Sequence, residues 1–327
     1  MVFTFSVVDP VDVLRADAHS ARLNCLAIST RRNLATHLTT FLIFTIYFGL
    51  QSFPVSEDVL VVYIQFLSRN FKSVASIKNY VFGIQTISNF NNFPFPDLTI
   101  PLFQYQFKGL ARSLCHTTHR ASPINPAILL KILQFLDLSD PFQASFWAVV
   151  LCGFLLFARI GNLLPKSKKY DHAKQLSRSD VFVAQDAVIF SLKWTKTIQT
   201  AERVLQIPLY SNSQSDLCPK FALFNMISVS PGHSQDHLFS YSTSKGLQVI
   251  TQSVFISFLR KVLSQAGFDA SKFSGHSLRR GGASHAFSKG VPSELIKSHG
   301  DWKSESYLIY LDFTMEDRLL TTKLMLS

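Results

Sequence analysis

The chain has 327 residues, enough for two domains of ordinary size, and a 47% hydrophobic fraction beside only 16% charged residues excludes a disordered chain. Its formal net charge of +11 points toward a polyanion, and most of the excess lies in one part. Residues 1–115 carry 9 Lys and Arg against 6 Asp and Glu, whereas residues 116–327 carry 23 against 15.

The four Cys (Cys25, Cys115, Cys152, Cys218) form no CxxC pair and read as buried thiols of a reducing compartment. The start, MVFTFSVVDPVDVL, has no basic leader and reads as loosely held chain rather than a signal peptide. Two apolar runs, 41–50 and 146–158, fall short of the roughly 18–20 residues a membrane span needs. Both are expected to be buried helices, with Arg159 closing the second.

From Ser29, apolar residues recur at helical spacing as far as the break at Pro54. Further helices are predicted over 56–71, with Ser56 as N-cap, over 73–90 and over 101–116. Arg31, Arg32, Lys72, Lys78, Lys108 and Arg112 fall on their polar faces and are the candidate residues of this part for contacting a polyanion. THRASPINP (118–126) reads as a connector, after which Asn125 and Pro126 form a cap and first-turn proline.

A nearly all-apolar stretch, 145–164, predicts one central helix closed by Pro165. The period then changes to two. Strands are predicted over 186–194 and 203–210, with 179–183 as a possible third, and Lys196 falls in the turn between the first two. Helices resume at 218–227 and 252–267, where Gly267 is a natural C-cap. The fold class expected is mainly α with a small antiparallel β-sheet.

The stretch 275–312, beginning GHSLRRGGASHAF, carries the densest chemistry. His276 and Arg279 are three residues apart and share a helical face. Gly300, Trp302 and then Tyr310 follow. A guanidinium fork matches two phosphate oxygens, an imidazole adds a donor, and a phenol can attack phosphorus. Arg280 points about 100° away on the helix, toward phosphate or solvent. His233 and His237 have a metal-like spacing but no nearby Cys or ordering helix, and are not read as a zinc site.

This order, H-x-x-R, then G-x-W, then a Tyr, resembles the tyrosine recombinase (phage-integrase-like) family of DNA breaking and rejoining enzymes. The stretches ARIGNLLPKS, WTKTIQ and GDWKSESYLIYL are similar to integrases of eukaryotic mobile elements of the Crypton and DIRS/Ngaro kind. The resemblance implies a leader over 1–24, a helical core-binding (SAM-like) domain over 25–116, a linker over 117–125 and a catalytic domain over 126–327. It implies that Arg159 and Arg279 grip the scissile phosphate with His276. Lys196 acts as general acid, with Lys193 as rival, and Trp302, with His299 as rival, packs on the phosphate.

Tyr310 is the implied nucleophile, and Tyr307, one turn earlier, is its alternative. A 3′-phosphotyrosyl link would store the bond energy, so neither metal, ATP nor another cofactor is implied. The implied partner is double-stranded DNA, bound by pairs or tetramers of the chain in the nucleus. Two positions depart from the pattern: Asn162 stands where an acidic residue is usual, and Asp301 stands where His or Trp falls when counting from Gly300. These departures keep open a silent DNA-binding protein derived from a mobile element. The 17 residues after Tyr310 suffice for one short helix.

Overall fold

The computed structural model describes residues 9–116, 120–200 and 202–311, with 315, 319, 322, 323, 325 and 326 beyond them. Expectations for the start of the leader, for 117–119 of the connector and for most of the segment after Tyr310 lie outside the described residues. The chain forms two compact units, Met1–Thr118 and His119–Ser327.

In the first unit, α1 (Pro10–Asn24) replaces the loose leader expected for residues 10–24. Asp9 caps it by accepting from the Val11 N–H at 2.8 Å, and Pro10 opens it. None of its side chains is buried, so no apolar stripe marks it in the sequence. Four further helices follow: α2 (Ile28–Tyr47), α3 (Glu57–Asn70), α4 (Val74–Phe90) and α5 (Pro101–Leu114). The Ser56 hydroxyl caps α3 at the Val59 N–H.

The core of this unit is aromatic, with Phe41 edge-on to Tyr63 at 4.9 Å and Phe44, Phe103 and Phe107 buried beside them. Arg31, Arg32, Lys72, Lys108 and Arg112 are exposed. Lys78 differs: it is half-buried, with Nζ 4.9 Å above the Phe107 ring. Cys25 and Cys115 are also exposed, which corrects the expectation of buried thiols; Cys152 and Cys218 are buried.

The second unit begins with α6 (Pro126–Leu133), capped by Asn125 through the Ile128 N–H at 2.9 Å. The central helix α7 (Pro141–Leu155) buries every residue from Ala144 to Phe154, because the unit packs around its whole circumference. It is shorter than the single helix expected over 145–164. Phe157 turns the backbone to φ 45°, and one-turn helix α8 (Ile160–Leu163) starts afresh. Apolar residues on both sides of this break hide it from any periodicity.

Strands β1 (Val181–Val183), β2 (Ala187–Leu192) and β3 (Leu205–Tyr210) form an antiparallel sheet in that order. Pro208 lies in β3, an edge strand, where a missing N–H is tolerated. A second hairpin, β4 (Ser240–Thr243) with β5 (Gly246–Val249), follows α9 (Pro219–Val229) and was not expected from the sequence. Helices α10 (Gln252–Gln265), α11 (His276–Ser288) and α12 (Ser293–His299) and a 3-10 helix over Glu305–Tyr310 complete the unit. Among the described residues no helix is long and apolar enough to cross a membrane.

Helix α11 approaches its neighbours closely because Gly281 has no side chain. A Cβ there would overlap the Ile124 carbonyl oxygen. The Ile124 N–H in turn donates to the Ser277 carbonyl at 3.0 Å, so α11 is fixed against the segment leading into α6.

Candidate active site

The break after α7 places Arg159. Residues 157–159 leave the helix, and Arg159, extended at φ −71° and ψ 137°, precedes α8. It is half-buried; its carbonyl accepts from the Asn162 N–H at 2.7 Å, while its guanidinium has no hydrogen-bond or ion-pair partner among the described residues. Asn162, the departure from the acidic residue of the pattern, is buried in α8.

Arg279 is 1% exposed, the largest fully buried side chain described. Its guanidinium donates to the Phe157 carbonyl and, at 2.8 Å, to the Gly300 carbonyl. It lies 3.7 Å from the centre of the Trp302 ring and 5.9 Å from the centre of the Tyr310 ring. Its Nε has no partner. Burial first, then the Arg159 charge, holds its pKa below the ordinary guanidinium value. Arginine starts so high that it stays charged at neutral pH.

His276 opens α11, its N–H donating to the Ser274 hydroxyl at 3.2 Å. Burial, Arg159 and then Arg279 lower its pKa below the usual imidazole value, so it is neutral at pH 7. Three side chains singled out in the sequence, from two separate helix starts and one helix interior, thus lie within reach of each other's charge.

Trp302 fits here only because residue 300 is glycine, since a Cβ at Gly300 would overlap the indole. Its rival His299 points elsewhere, with Nε2 2.8 Å from the Leu155 carbonyl at the end of α7. Facing an acceptor, that nitrogen must carry the proton. Trp302 is therefore the one of the pair that packs on Arg279.

The 3-10 helix repeats every three residues, so Tyr307 and Tyr310 stand one above the other, with ring centres 6.2 Å and 5.5 Å from Trp302. Tyr307 is buried in the apolar cluster with Phe157 and Ile296, with Lys297 Nζ 5.8 Å from its ring centre. Tyr310 is half-buried and is tied to α11 through its own carbonyl, which accepts from the Ser284 hydroxyl. Of the two phenols, Tyr310 is the one whose ring stands beside the Arg279 guanidinium, 5.9 Å from it.

Lys196 lies exposed in the turn between β2 and β3; its carbonyl accepts from Gln199 Nε2 at 2.8 Å, and its ammonium has no partner among the described residues. Lys193 is committed to Asp180 at 2.5 Å. Arg280 differs from its expectation of facing phosphate or solvent. It is half-buried and donates to the Ala121 carbonyl at 3.0 Å, a bond that helps hold the segment before α6. His237 is also committed inside the protein: Nδ1 accepts from the Phe239 N–H at 3.1 Å, and burial pushes its pKa down to about 4.

One residue escaped the sequence reading. Asp301 accepts from the Thr195 and Thr197 hydroxyls and pairs with Arg203. The only trace of it in the sequence is the misfit it causes when the pattern is counted from Gly300.

No family model and no curated protein matches the sequence. Solved structures do. The chain is similar to the Tn1549 transposon integrase in complex with transposon right end DNA, at 12% identity over 94% of this chain and 98% of that one, with a TM-score of 0.63. XerH site-specific recombinase bound to palindromic difH substrate is similar at 14% identity over 84% and 71%, TM-score 0.57. A lambda integrase dimer bound to a COC′ core site is similar at 13% identity over 96% and 83%, TM-score 0.53. The mainly helical architecture with its small antiparallel sheet is the tyrosine-recombinase fold.

Proposed function

We propose that this chain is a site-specific DNA recombinase or integrase that cuts and rejoins strands through a 3′-phosphotyrosyl link on Tyr310. The observation that carries this reading is the meeting of Arg159, Arg279 and neutral His276 beside a phenol, with no carboxylate bonded to either arginine among the described residues. Such a site is short of an anion, and a phosphodiester with two non-bridging oxygens supplies one. The fold neighbours, which include structures of recombinases and integrases bound to DNA, support the same direction.

In the proposed step the Tyr310 oxygen forms a bond to phosphorus as the bond to the 5′ oxygen breaks. A free phenol has a pKa near 10, so it needs both cationic neighbours and a proton acceptor. Neutral His276 takes that proton, and the Lys196 ammonium gives one to the departing 5′ oxygen. Arg159 and Arg279 hold the charge that builds on the non-bridging oxygens. Attack by a 5′ hydroxyl on the phosphotyrosyl link reverses the same bonds and rejoins the strand. The exposed Arg31, Arg32, Lys72, Lys108 and Arg112 contact the DNA backbone, and pairs of the chain assemble on it. Likeness to Crypton and DIRS-type integrases makes a mobile element the proposed source.

Covalent trapping tests this. The protein is incubated, without metal or ATP, with nicked DNA carrying the flanks of its own locus, and SDS-resistant adducts are sought. Adducts in wild type and Tyr307→Phe but not in Tyr310→Phe are expected. Loss in Tyr307→Phe alone would move the nucleophile. Salt-sensitive binding to the flanks without any adduct would replace this reading with a silent DNA-binding protein.

A further inference from the structure

Helix α12 ends in a paired closure. The Trp302 N–H reaches the Lys297 carbonyl at 3.0 Å and the Asp301 N–H reaches the Ser298 carbonyl at 3.1 Å. Between them Asp301 adopts φ 53°, the left-handed conformation that this closure demands and that glycine adopts at least cost. An aspartate at such a position is a local disadvantage, so what its side chain does elsewhere matters.

Its carboxylate spans to the other wall of the site. It accepts from Thr195 Oγ1 at 3.0 Å and from Thr197 Oγ1, and it pairs with Arg203. Thr195 and Thr197 flank Lys196, and Arg203 leads into β3. Within the turn the Thr195 N–H donates to the Ile198 carbonyl at 3.0 Å, the Thr197 and Ile198 N–H groups return to the Thr195 hydroxyl at 3.1 Å, and Gln199 Nε2 donates to the Lys196 carbonyl at 2.8 Å, all bonds local to the turn. Burial pushes the Asp301 carboxyl upward, but the bonds from Thr197, Arg203 and Thr195 outweigh it and hold the group below its usual value, hence ionised at neutral pH.

The residues on either side of Asp301 hold the other half of the chemistry. The Gly300 carbonyl accepts from Arg279, and the Trp302 ring covers the same guanidinium. Three consecutive residues therefore grip Arg279 with two of their members and the Lys196 turn with the third. A lysine on an exposed two-strand turn would otherwise sample many positions, and proton transfer requires hydrogen-bond reach.

We propose that Asp301 is a positioning residue, which locks the β2–β3 turn to the Arg279 side of the site so that Lys196 meets the departing 5′ oxygen. The proposal rests on the recombinase reading and assigns a purpose to the departure at residue 301. Asp301 touches no reacting atom. Its contribution is the placement of the group that gives the proton.

The test uses full-length Asp301→Gly, a residue that fits the left-handed backbone, and Asp301→Asn, which keeps shape but not charge. Each is compared with Lys196→Ala and Arg279→Ala on two nicked duplexes with the locus flanks. One duplex has the ordinary scissile phosphate; in the other, sulfur replaces the bridging 5′ oxygen. A thiolate leaves without being protonated, so it bypasses the general acid. Asp301→Gly is expected to stay folded but to melt below the wild-type temperature, since Thr195, Thr197 and Arg203 lose their acceptor, to slow adduct formation by about 10²-fold on oxygen, and to regain the wild-type rate on sulfur. Lys196→Ala should behave alike, while Arg279→Ala stays slow on both.

Equal loss of Asp301→Gly on both substrates, or no loss on either, overturns the proposal. Amide exchange separates it from the reading beneath it. Residues 195–198 should exchange faster in Asp301→Gly while α7 stays protected, and unchanged exchange overturns the anchor whatever the chemistry. Absence of any wild-type adduct overturns the recombinase reading and Lys196's part in it.

Discussion

Arg279 and Arg159 bring the same charge into the same site, yet the fold treats them in opposite ways. Arg279 belongs to a buried floor made by α11, the end of α7 and the turn 300–302. Two carbonyls and an indole face receive its guanidinium there, and only its Nε is left without a partner. Arg159 belongs to an open rim with His276, and its guanidinium has no bonded partner among the described residues. The floor is satisfied by neutral acceptors, so hydrogen bonds are made but the charge is not cancelled. The rim is left unsatisfied altogether. Both leave positive charge for an incoming phosphate, but only the floor is also part of the protein's own stability.

Arg279→Ala breaks the comparison hardest, because it removes charge and structure together. Cleavage should fall by about 10³-fold, the upper end of what one transition-state donor contributes. The Phe157 and Gly300 carbonyls would lose their donor, and stability should drop by about 2 kcal/mol, as for buried polar groups left unpaired. Adduct rates and urea midpoints read the two effects on one variant. Arg279→Lys keeps the charge but not the fork, and should recover little of either.

Gly281→Ala attacks the floor without touching a charged group. Helix propensity alone favours alanine by about 1 kcal/mol. The packing forbids it, since the new Cβ meets the Ile124 backbone rather than a side chain that could swing away. A net loss of about 2–3 kcal/mol is expected from overpacking, read in the urea midpoint. A gain would mean that α11 is not clamped against the segment before α6.

Arg159→Ala sharpens the contrast from the rim. Removing a charge with no partner, beside two other basic groups, should leave the melting temperature unchanged or slightly raised. Cleavage should still fall by about 10²-fold. A stability loss comparable with that of Arg279→Ala would show that the rim is structural after all.

What the sequence disclosed follows the same division. Caps such as Ser56 and the Asn125–Pro126 pair were legible because local chemistry decides them. Asp9–Pro10 carries the same signal before α1, but without an apolar stripe behind it the helix was passed over. The break at Phe157 was illegible, because α7 and the residues after it are equally apolar and only tertiary packing chooses where the helix ends. Local spacing did single out Arg159, His276, Arg279, Trp302 and Tyr310, which the fold brings together. Spacing could not show that Arg280 turns to Ala121, that Lys78 covers Phe107, or that Asp301 reaches across to a hairpin more than 100 residues earlier. Each of those depends on which surface another element presents.

The smallest effect is the most direct reading of the rim's field. In the free protein the His276 pKa is lowered by burial first, then by Arg159 and Arg279. A folded value below the ordinary 6.5 means that, as pH falls below 6.5, the unfolded chain takes up a proton that the folded site resists. His276 therefore weakens folding on the acid side and has no such effect above about pH 7. In Arg159→Ala the imidazole should titrate at a higher pH than in wild type, yet still below 6.5, because burial and Arg279 remain. The acid-side weakening should shrink with it. Proton NMR of the His276 ring across pH 4.5–8, assigned with His276→Gln, measures the shift. Adding a duplex with the locus flanks should move the same resonance the opposite way from burial, since a phosphate near Arg159 and Arg279 favours the imidazolium. A His276 pKa indifferent to Arg159 would place that arginine outside the site, and the contrast between floor and rim would have to be redrawn around Arg279 alone.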